Sequence, residues 1–562
     1  MSRITDATPV SPSLDRLFGK KEVSRKSPVN KRVFYLGIQA IINAVIIGFL
    51  AKLLVLLIAL ITNIAFYGKF SLELSSPAGN HLGWFVVFIP IAGSILVGIM
   101  ARFGSKAIRG HGIPEAMEKI ILEDSKIPPV ITFLKPLSAA ISIGTGGPFG
   151  AEGPIIATGG AWGSLTGQVM HISPAERKII LTAGACAGMS AIFGSPLAAV
   201  LLAIELLLFE FSPRSIIPVA LGCIAGAGMH IFLFDNTPVF AMHGISVPSN
   251  SALIIYTLSG AIIGIIASLV SRSVYAVEDL FERLPVHWMW WPAIGAIAVG
   301  IAGYFAPFTM GVGYENIQDL LKARLPLTML FSLCFLKYIS WVISLGSGTS
   351  GGTLAPLLTI GGALGALLGA LILHLFPSVD INLATAALIG MAAMFAGASR
   401  AFLTSVVFAL ETTGQINGLL PLLGACAAAY FISFFFMKGS IMTEKIKRRG
   451  VKTPDSYEPD VLQTTNVEQL VTSAPPGLEN LPYVYKTDDA GLAAEMMGKY
   501  NLDKLLVLDK KNNRQPVGVI TTAAILKYYS DQKQKDHAYN SPARTRKIMV
   551  QGRKLIKRMQ KK

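Results

Sequence analysis

Charge is what this chain has least of. Only 15% of its 562 residues are charged, where a soluble protein carries about 25%. Acids are scarcer than bases, 33 against 49. Cysteine is nearly absent: Cys186, Cys223, Cys334 and Cys426 all fall in apolar stretches, which argues against a disulfide or zinc framework. There is no H-E-x-x-H, no G-x-G-D pair and no serine–lysine arrangement, so a membrane-embedded enzyme has no chemistry to stand on. The first 32 residues are polar and basic and lack the apolar core of a cleavable signal peptide.

What is present is hydrophobic. Apolar residues make up 52% and mean hydropathy is +0.55, which identifies a polytopic membrane protein. Poorly charged segments recur near 33–67, 84–101, 130–143, 178–211, 215–234, 252–272, 288–307, 327–345, 354–375, 382–411 and 418–437. Roughly 20 residues cross the hydrocarbon, so 33–67 must tilt or break. Arg16, Lys20, Lys21, Arg25, Lys26, Lys31 and Arg32 precede the first segment; Lys438, Lys445, Lys447, Arg448 and Arg449 follow the last. Basic flanks favour the cytoplasm, so both termini are expected there. The net charge of +16 then reads as contact with the inner leaflet and not with nucleic acid.

The chain repeats itself. Residues 144–167, GTGGPFGAEGPIIATGGAWGSLTG, shifted by 202 fall on 346–369, GSGTSGGTLAPLLTIGGALGALLG. Gly144, Gly146, Gly150, Pro154, Gly159, Gly160, Gly163 and Gly167 meet glycine or proline without a gap. At a shift of 206, Gly184 and Glu205 fall on Gly390 and Glu411. If each repeat crosses an odd number of times, the two are inverted and both termini share a side, as the basic flanks require; inverted repeats are therefore favoured over parallel ones. Repeats with broken membrane helices are a transporter signature.

Three glycine-flanked prolines close Gly110-His111-Gly112-Ile113-Pro114, Gly150-Ala151-Glu152-Gly153-Pro154 and Gly352-Thr353-Leu354-Ala355-Pro356. Proline suits a first helical turn, so each motif places a helix N-terminus inside the protein. Such ends carry unpaired N–H groups and partial positive charge. Glycine lets a ligand come close. Aimed together, they form an anion site without a full cation, weak enough to release what it binds. Glu152 stands directly before one of these helices, and an acid in an apolar segment is a functional candidate by default. It either caps its own helix or competes with an anion when ionised, gating the path or carrying a proton.

These motifs resemble the chloride channel and chloride/proton exchanger (CLC) family, whose patterns G-S-G-I-P, G-[KR]-E-G-P and G-x-F-x-P come in this order. The spacing from Lys135 to Glu152, and Ser195-Pro196-Leu197-Ala198 leading to Glu205, add to the likeness, which covers about 33–450. The resemblance implies a homodimer with one anion pathway per subunit, each subunit an inverted repeat of 18 mostly tilted helices. It implies that Glu152 gates and that His111, Gly112, Ile113, Gly153, Leu354, Ala355 and Met442 line the anion path, with bound chloride as substrate and no cofactor. This chain departs from the pattern. His111 replaces the anion-contacting serine, Ala151 the basic residue and Leu354 the phenylalanine; Leu206 stands where many exchangers carry an inner proton-transfer glutamate, and Met442 near the inner tyrosine. A histidine reaching the anion would tighten binding as pH falls near 6.5; otherwise it is a helix-start cap.

Residues 466–530 read as strand, helix, strand, turn at Asn512-Asn513, strand and helix, and resemble one cystathionine-β-synthase-type (CBS) repeat. Nucleotide-holding copies have an aspartate where Ala524 stands, which argues for a structural or dimer-bracing role and against nucleotide sensing. The expected architecture is an all-α polytopic membrane protein with inverted, broken-helix repeats and a small cytoplasmic α/β domain. It divides into a basic arm (1–32), repeat one (33–235), connector and repeat two (236–450), the CBS-like domain (451–540) and a basic tail (541–562). The tail holds nine Lys or Arg and no acid, fitted to an anionic leaflet or to solvent. The expected location is a bacterial inner (plasma) membrane. Passive or weakly proton-coupled passage of chloride or a similar anion is the leading function, with a fully coupled chloride or fluoride exchanger beside it. An organic-anion transporter, for which Arg400 is the best support, is the third reading.

Overall fold

The computed structural model describes residues 31–448 except 123, 235, 236, 243 and 246, and beyond them 450, 462, 465–472, 482–509 and 515–539. The expected arm up to residue 30, the turn at Asn512-Asn513 and the basic tail lie outside the described residues. Two compact units divide at Asp455 and Ser456.

The first unit is helical throughout. Its first half runs α1 (Lys31–Thr62), α2 (Phe88–Phe103), α3 (Ile113–Leu122), α4 (Ile131–Gly144), α5 (Glu152–Val169), α6 (Pro174–Phe193), α7 (Pro196–Leu202) and α8 (Pro213–Leu233). The second runs α9 (Asn250–Glu282), α10 (Trp291–Phe305), α11 (Tyr314–Leu321), α12 (Leu327–Phe331), α13 (Lys337–Gly346), α14 (Leu354–Leu375), α15 (Leu383–Ser399), α16 (Phe402–Thr413) and α17 (Leu419–Phe436), and the short α18 (Glu444–Arg448) follows. From α2 onward the halves match helix for helix, because α12 and α13 are one rod joined by a wide turn at Ser332–Leu336 and together answer α4. Among the described residues, eight helices are long and apolar enough to cross a membrane. The stretch from Lys31 to Tyr67 is helical without a break. At about 1.5 Å per residue it is far longer than the roughly 30 Å hydrocarbon layer, so it tilts.

Two expected segments, 178–211 and 382–411, are each two helices. The first breaks at Gly194, whose φ of 62° ends α6, and the second at Arg400, whose φ of 60° ends α15. A left-handed residue stops an α-helix, and hydropathy carries no sign of it. The carboxylates beyond these breaks are exchanged between the halves. Glu205 accepts the N–H groups of Leu403 and Thr404, both at 2.9 Å, and the Thr404 hydroxyl at 2.6 Å. Glu411 accepts the N–H groups of Leu197 at 3.0 Å and Ala198 at 2.8 Å. Each acid thus caps the other half's helix, a reciprocity that a two-fold relation between the halves produces.

Glycine sets the helix crossings in both halves. A Cβ on Gly159 would lie 2.3 Å from the Gly184 carbonyl oxygen, and one on Gly361 would lie 2.5 Å from that of Gly390. The α5–α6 and α14–α15 backbones therefore touch, as small residues allow inside membranes.

The second unit follows its expected order. β1 (Tyr483–Tyr485) pairs in parallel with β2 (Lys504–Asp509), and β2 pairs antiparallel with β3 (Gln515–Thr521). α19 (Ala490–Tyr500) and α20 (Thr522–Tyr539) complete it. Val484, Ala493, Met497, Leu505, Val507 and Ile520 form its core. The Asp489 side chain caps α19 through the Leu492 N–H. Ala524 sits in the first turn of α20, donating its N–H to the Thr521 hydroxyl.

Candidate anion site

The three proline motifs, 40 and 202 residues apart in the chain, meet at one place. Gly110 pairs with Ser350 and Gly150 with Gly352 as isolated bridges. The Gly110 N–H donates to the Thr349 carbonyl at 2.9 Å, and Gly352 donates to Gly150 at 3.1 Å. Side chains would not fit here: a Cβ on Gly153 would stand 2.2 Å from the His111 carbonyl oxygen and 2.9 Å from the Gly352 Cα. Close approach of backbone to backbone is what these glycines provide.

Glu152 opens α5 and is fully buried. Its Oε1 accepts the Tyr314 hydroxyl at 2.7 Å, while Oε2 is buried without a hydrogen-bond partner. The backbone N–H groups of Glu152 itself and of Ala355 face the carboxylate. The carboxyl group therefore sits where the starts of α5 and α14 converge. Leu354 and Ala355, at the start of α14, are buried.

The start of α3 is arranged differently. His111 is buried, with Nδ1 lacking a hydrogen-bond partner. The Gly112 N–H, expected to face an anion, donates instead to Glu115 Oε2 at 2.7 Å, and Lys445 binds Glu115 Oε1 at 3.0 Å. Burial works against charge on Glu115, but Lys445 outweighs it and holds the carboxyl well below the usual carboxylate range. Ile113 is buried behind this cap. Met442 is buried in a tight turn, donating its N–H to the Ser440 hydroxyl. The neighbouring Ile441 carbonyl accepts the Tyr275 hydroxyl at 2.7 Å.

Two buried lysines fix the loops. Lys135 Nζ donates to the Ile108 and Gly110 carbonyls, each at 2.8 Å. Lys337 Nζ donates to those of Thr309 at 3.1 Å and Gly311 at 3.4 Å. The second set is the first advanced by about 201 residues, so Gly311-Val312-Gly313-Tyr314 is the counterpart of Gly110-His111-Gly112-Ile113. Sequence reading missed this loop, and with it Tyr314, Lys337 and Tyr275; the 201-residue offset of G-x-G was the available signal. Arg400 donates to the Ser433 and Met437 carbonyls and lies over the Phe434 ring.

The sequence model of the family described as "Voltage gated chloride channel" matches residues 92–434. The chain belongs to the voltage-gated chloride channel (CLC) family. Among similar proteins is the H(+)/Cl(-) exchange transporter ClcA of Yersinia pestis, 29% identical over 418 residues, or 72% of this chain and 84% of the relative. ClcA of Klebsiella pneumoniae (strain 342) is 28% identical over 368 residues, 63% of this chain and 77% of the relative. The fold is shared with a slow cyanobacterial Cl-/H+ antiporter (TM-score 0.65, 22% identity, 73% of this chain and 98% of that one). It is shared too with a CLC-type fluoride/proton antiporter (TM-score 0.60, 21% identity, 74% and 98%). In this CLC chain the three proline motifs thus meet where the buried Glu152 carboxyl group lies at the starts of α5 and α14.

Proposed function

We propose that this CLC protein passes chloride or a similar small anion across the membrane, with passive or weak coupling to protons. The observation that carries the reading is the Glu152 carboxylate seated at the start of α5 and facing the Ala355 N–H of α14. A buried anionic group at converging helix starts marks a place where a free anion is stabilised. Glu152 is its competitor: ionised it fills the path, protonated or displaced it leaves room. The names of the relatives, chloride/proton exchangers and a fluoride/proton antiporter, support the same substrate class.

Weak coupling rests on the residues beyond Glu152. Glu205 is occupied by three donors from α16, Leu206 beside it cannot take a proton, and Met442 offers no hydroxyl. The fully coupled exchanger is the second reading, favoured by the relatives' names. The organic-anion reading loses its support, because the Arg400 guanidinium is engaged by backbone carbonyls. A homodimer, cytoplasmic termini and a bracing role for the CBS-like unit belong to the same proposal.

Purified protein in liposomes, with anion efflux and proton uptake recorded together, tests it. Potassium-ionophore clamped vesicles loaded with chloride, nitrate or fluoride should discharge, and silence with all three would overturn anion passage. Glu152→Gln, which imitates the protonated side chain, should keep or raise flux and abolish its pH sensitivity. A fixed proton stoichiometry that disappears in Glu152→Gln would establish the exchanger instead.

A further inference from the structure

We propose that Tyr314 is a positioning residue that holds the Glu152 carboxylate in the anion path, so that anions pass only when this bond opens. The inference rests on the reading of Glu152 given above and names the group that restrains it.

The hydroxyl has a fixed address. Tyr314 opens α11, and its ring lies against those of Phe193 and Phe240, at 5.9 and 5.8 Å between centroids. The preceding Gly313 has a φ of 75°, and a Cβ there would stand 3.0 Å from Lys337 Nζ. Lys337 in turn is tied to the carbonyls of Thr309 and Gly311. Backbone and ring are thus both constrained, and the phenol meets Oε1 at 2.7 Å. A hydrogen bond from a hydroxyl to a carboxylate is charge-assisted and stronger than a neutral one. Oε2 has no such partner, so this single bond is the side-chain hydrogen bond recorded for the carboxylate.

The fold does not require the hydroxyl. Advanced by 201 residues, Ile113 is the counterpart of Tyr314, and a purely apolar side chain serves the equivalent place in the first half. A cavity of about 400 Å³ is lined by Tyr314 and by Ala151, the residue before Glu152, together with Ile143 and Met310. The charged and titratable groups facing Glu152 are Tyr314 on α11 and Lys337 on α13; His230 and Glu315 line the cavity beyond. Removing the phenol oxygen leaves the ring packing and withdraws the restraint.

The test compares chloride efflux from liposomes at neutral pH for the unaltered protein, Tyr314→Phe, Glu152→Ala and the double variant. Tyr314→Phe should raise flux about tenfold, the weight of one hydrogen bond to a charged group. Glu152→Ala should raise it as well, and adding Tyr314→Phe to Glu152→Ala should change nothing further. An equal change in both backgrounds would make Tyr314 a packing residue and overturn the proposal. So would an unchanged Tyr314→Phe beside a faster Glu152→Ala. If Glu152→Ala itself leaves flux unaltered, the reading of Glu152 fails first and this one with it. Should Tyr314→Phe not assemble, Glu152→Asp draws the carboxyl back by one methylene from an intact tyrosine. The same rise is expected, and its absence counts against the proposal.

Discussion

His111 stands where the family pattern has serine, between spanning helices, and its surroundings decide what it can do. Burial, with Lys445 and Lys135 nearby, lowers its pKa to about 4 although Glu115 pulls the other way. The ring is therefore neutral through the range in which a free histidine titrates, near 6.5. Whatever pH dependence Glu152 gives to anion affinity measured by calorimetry between about pH 5.5 and 7.5, His111→Ser should leave it unchanged. Tightening that sets in near 6.5 and vanishes in the variant would restore the charged-histidine expectation. The sign for stability is the reverse of a salt-bridged histidine. Below about 6.5 the unfolded chain takes up a proton that the folded chain refuses until about 4, so the fold weakens as pH falls through that window. Glu205 gives a second outcome at this scale. Glu205→Gln keeps the shape and loses the charge on the cap, so the melting temperature should drop, by about 1 kcal/mol of stability. The ratio of protons to anions moved should not change, and a changed ratio would make Glu205 a proton carrier. The place of Glu152 at a buried helix start was legible in the sequence because glycine and proline announce a helix start and an acid there is conspicuous. Tyr314 was not, since its partner is 162 residues away and tyrosine before an amphipathic helix carries no local signal.

The helices were legible where hydropathy changes and illegible where only backbone angle changes. Gly194 and Arg400 are equivalent terminators at a shift of 206, with φ values of 62° and 60°. Glycine signals such a turn, while arginine in the same role resembles a buried binding cation. The crossings of α5 with α6 and of α14 with α15 offer a sharper check. Gly159→Ala places a methyl 2.3 Å from the Gly184 carbonyl oxygen, whereas at Gly160 the nearest atom is a leucine methyl 3.4 Å away. Thermal melts in detergent should show Gly159→Ala destabilised by about 1–3 kcal/mol, the usual cost of overpacking. Gly160→Ala should be nearly neutral. Equal losses at both sites would mean that the backbones are not held in contact.

The inverted architecture was readable as a whole because two independent offsets, 202 and 206, fell on the same residue types; their difference of four is the extra length between Gly369 and Gly390 in the second half. What no offset could reveal is that the halves complete each other. Glu205 finishes a helix in the second half and Glu411 finishes one in the first. During synthesis the first half reaches the bilayer with its acid unmatched and the start of α7 open, and it must wait for some 200 further residues. An emerging chain is thus exposed longest at the very helix ends that the finished protein hides. Cut in the connector and produced as two pieces, the halves should be degraded singly and rescued together, with Glu411→Ala in one piece shortening the lifetime of the other.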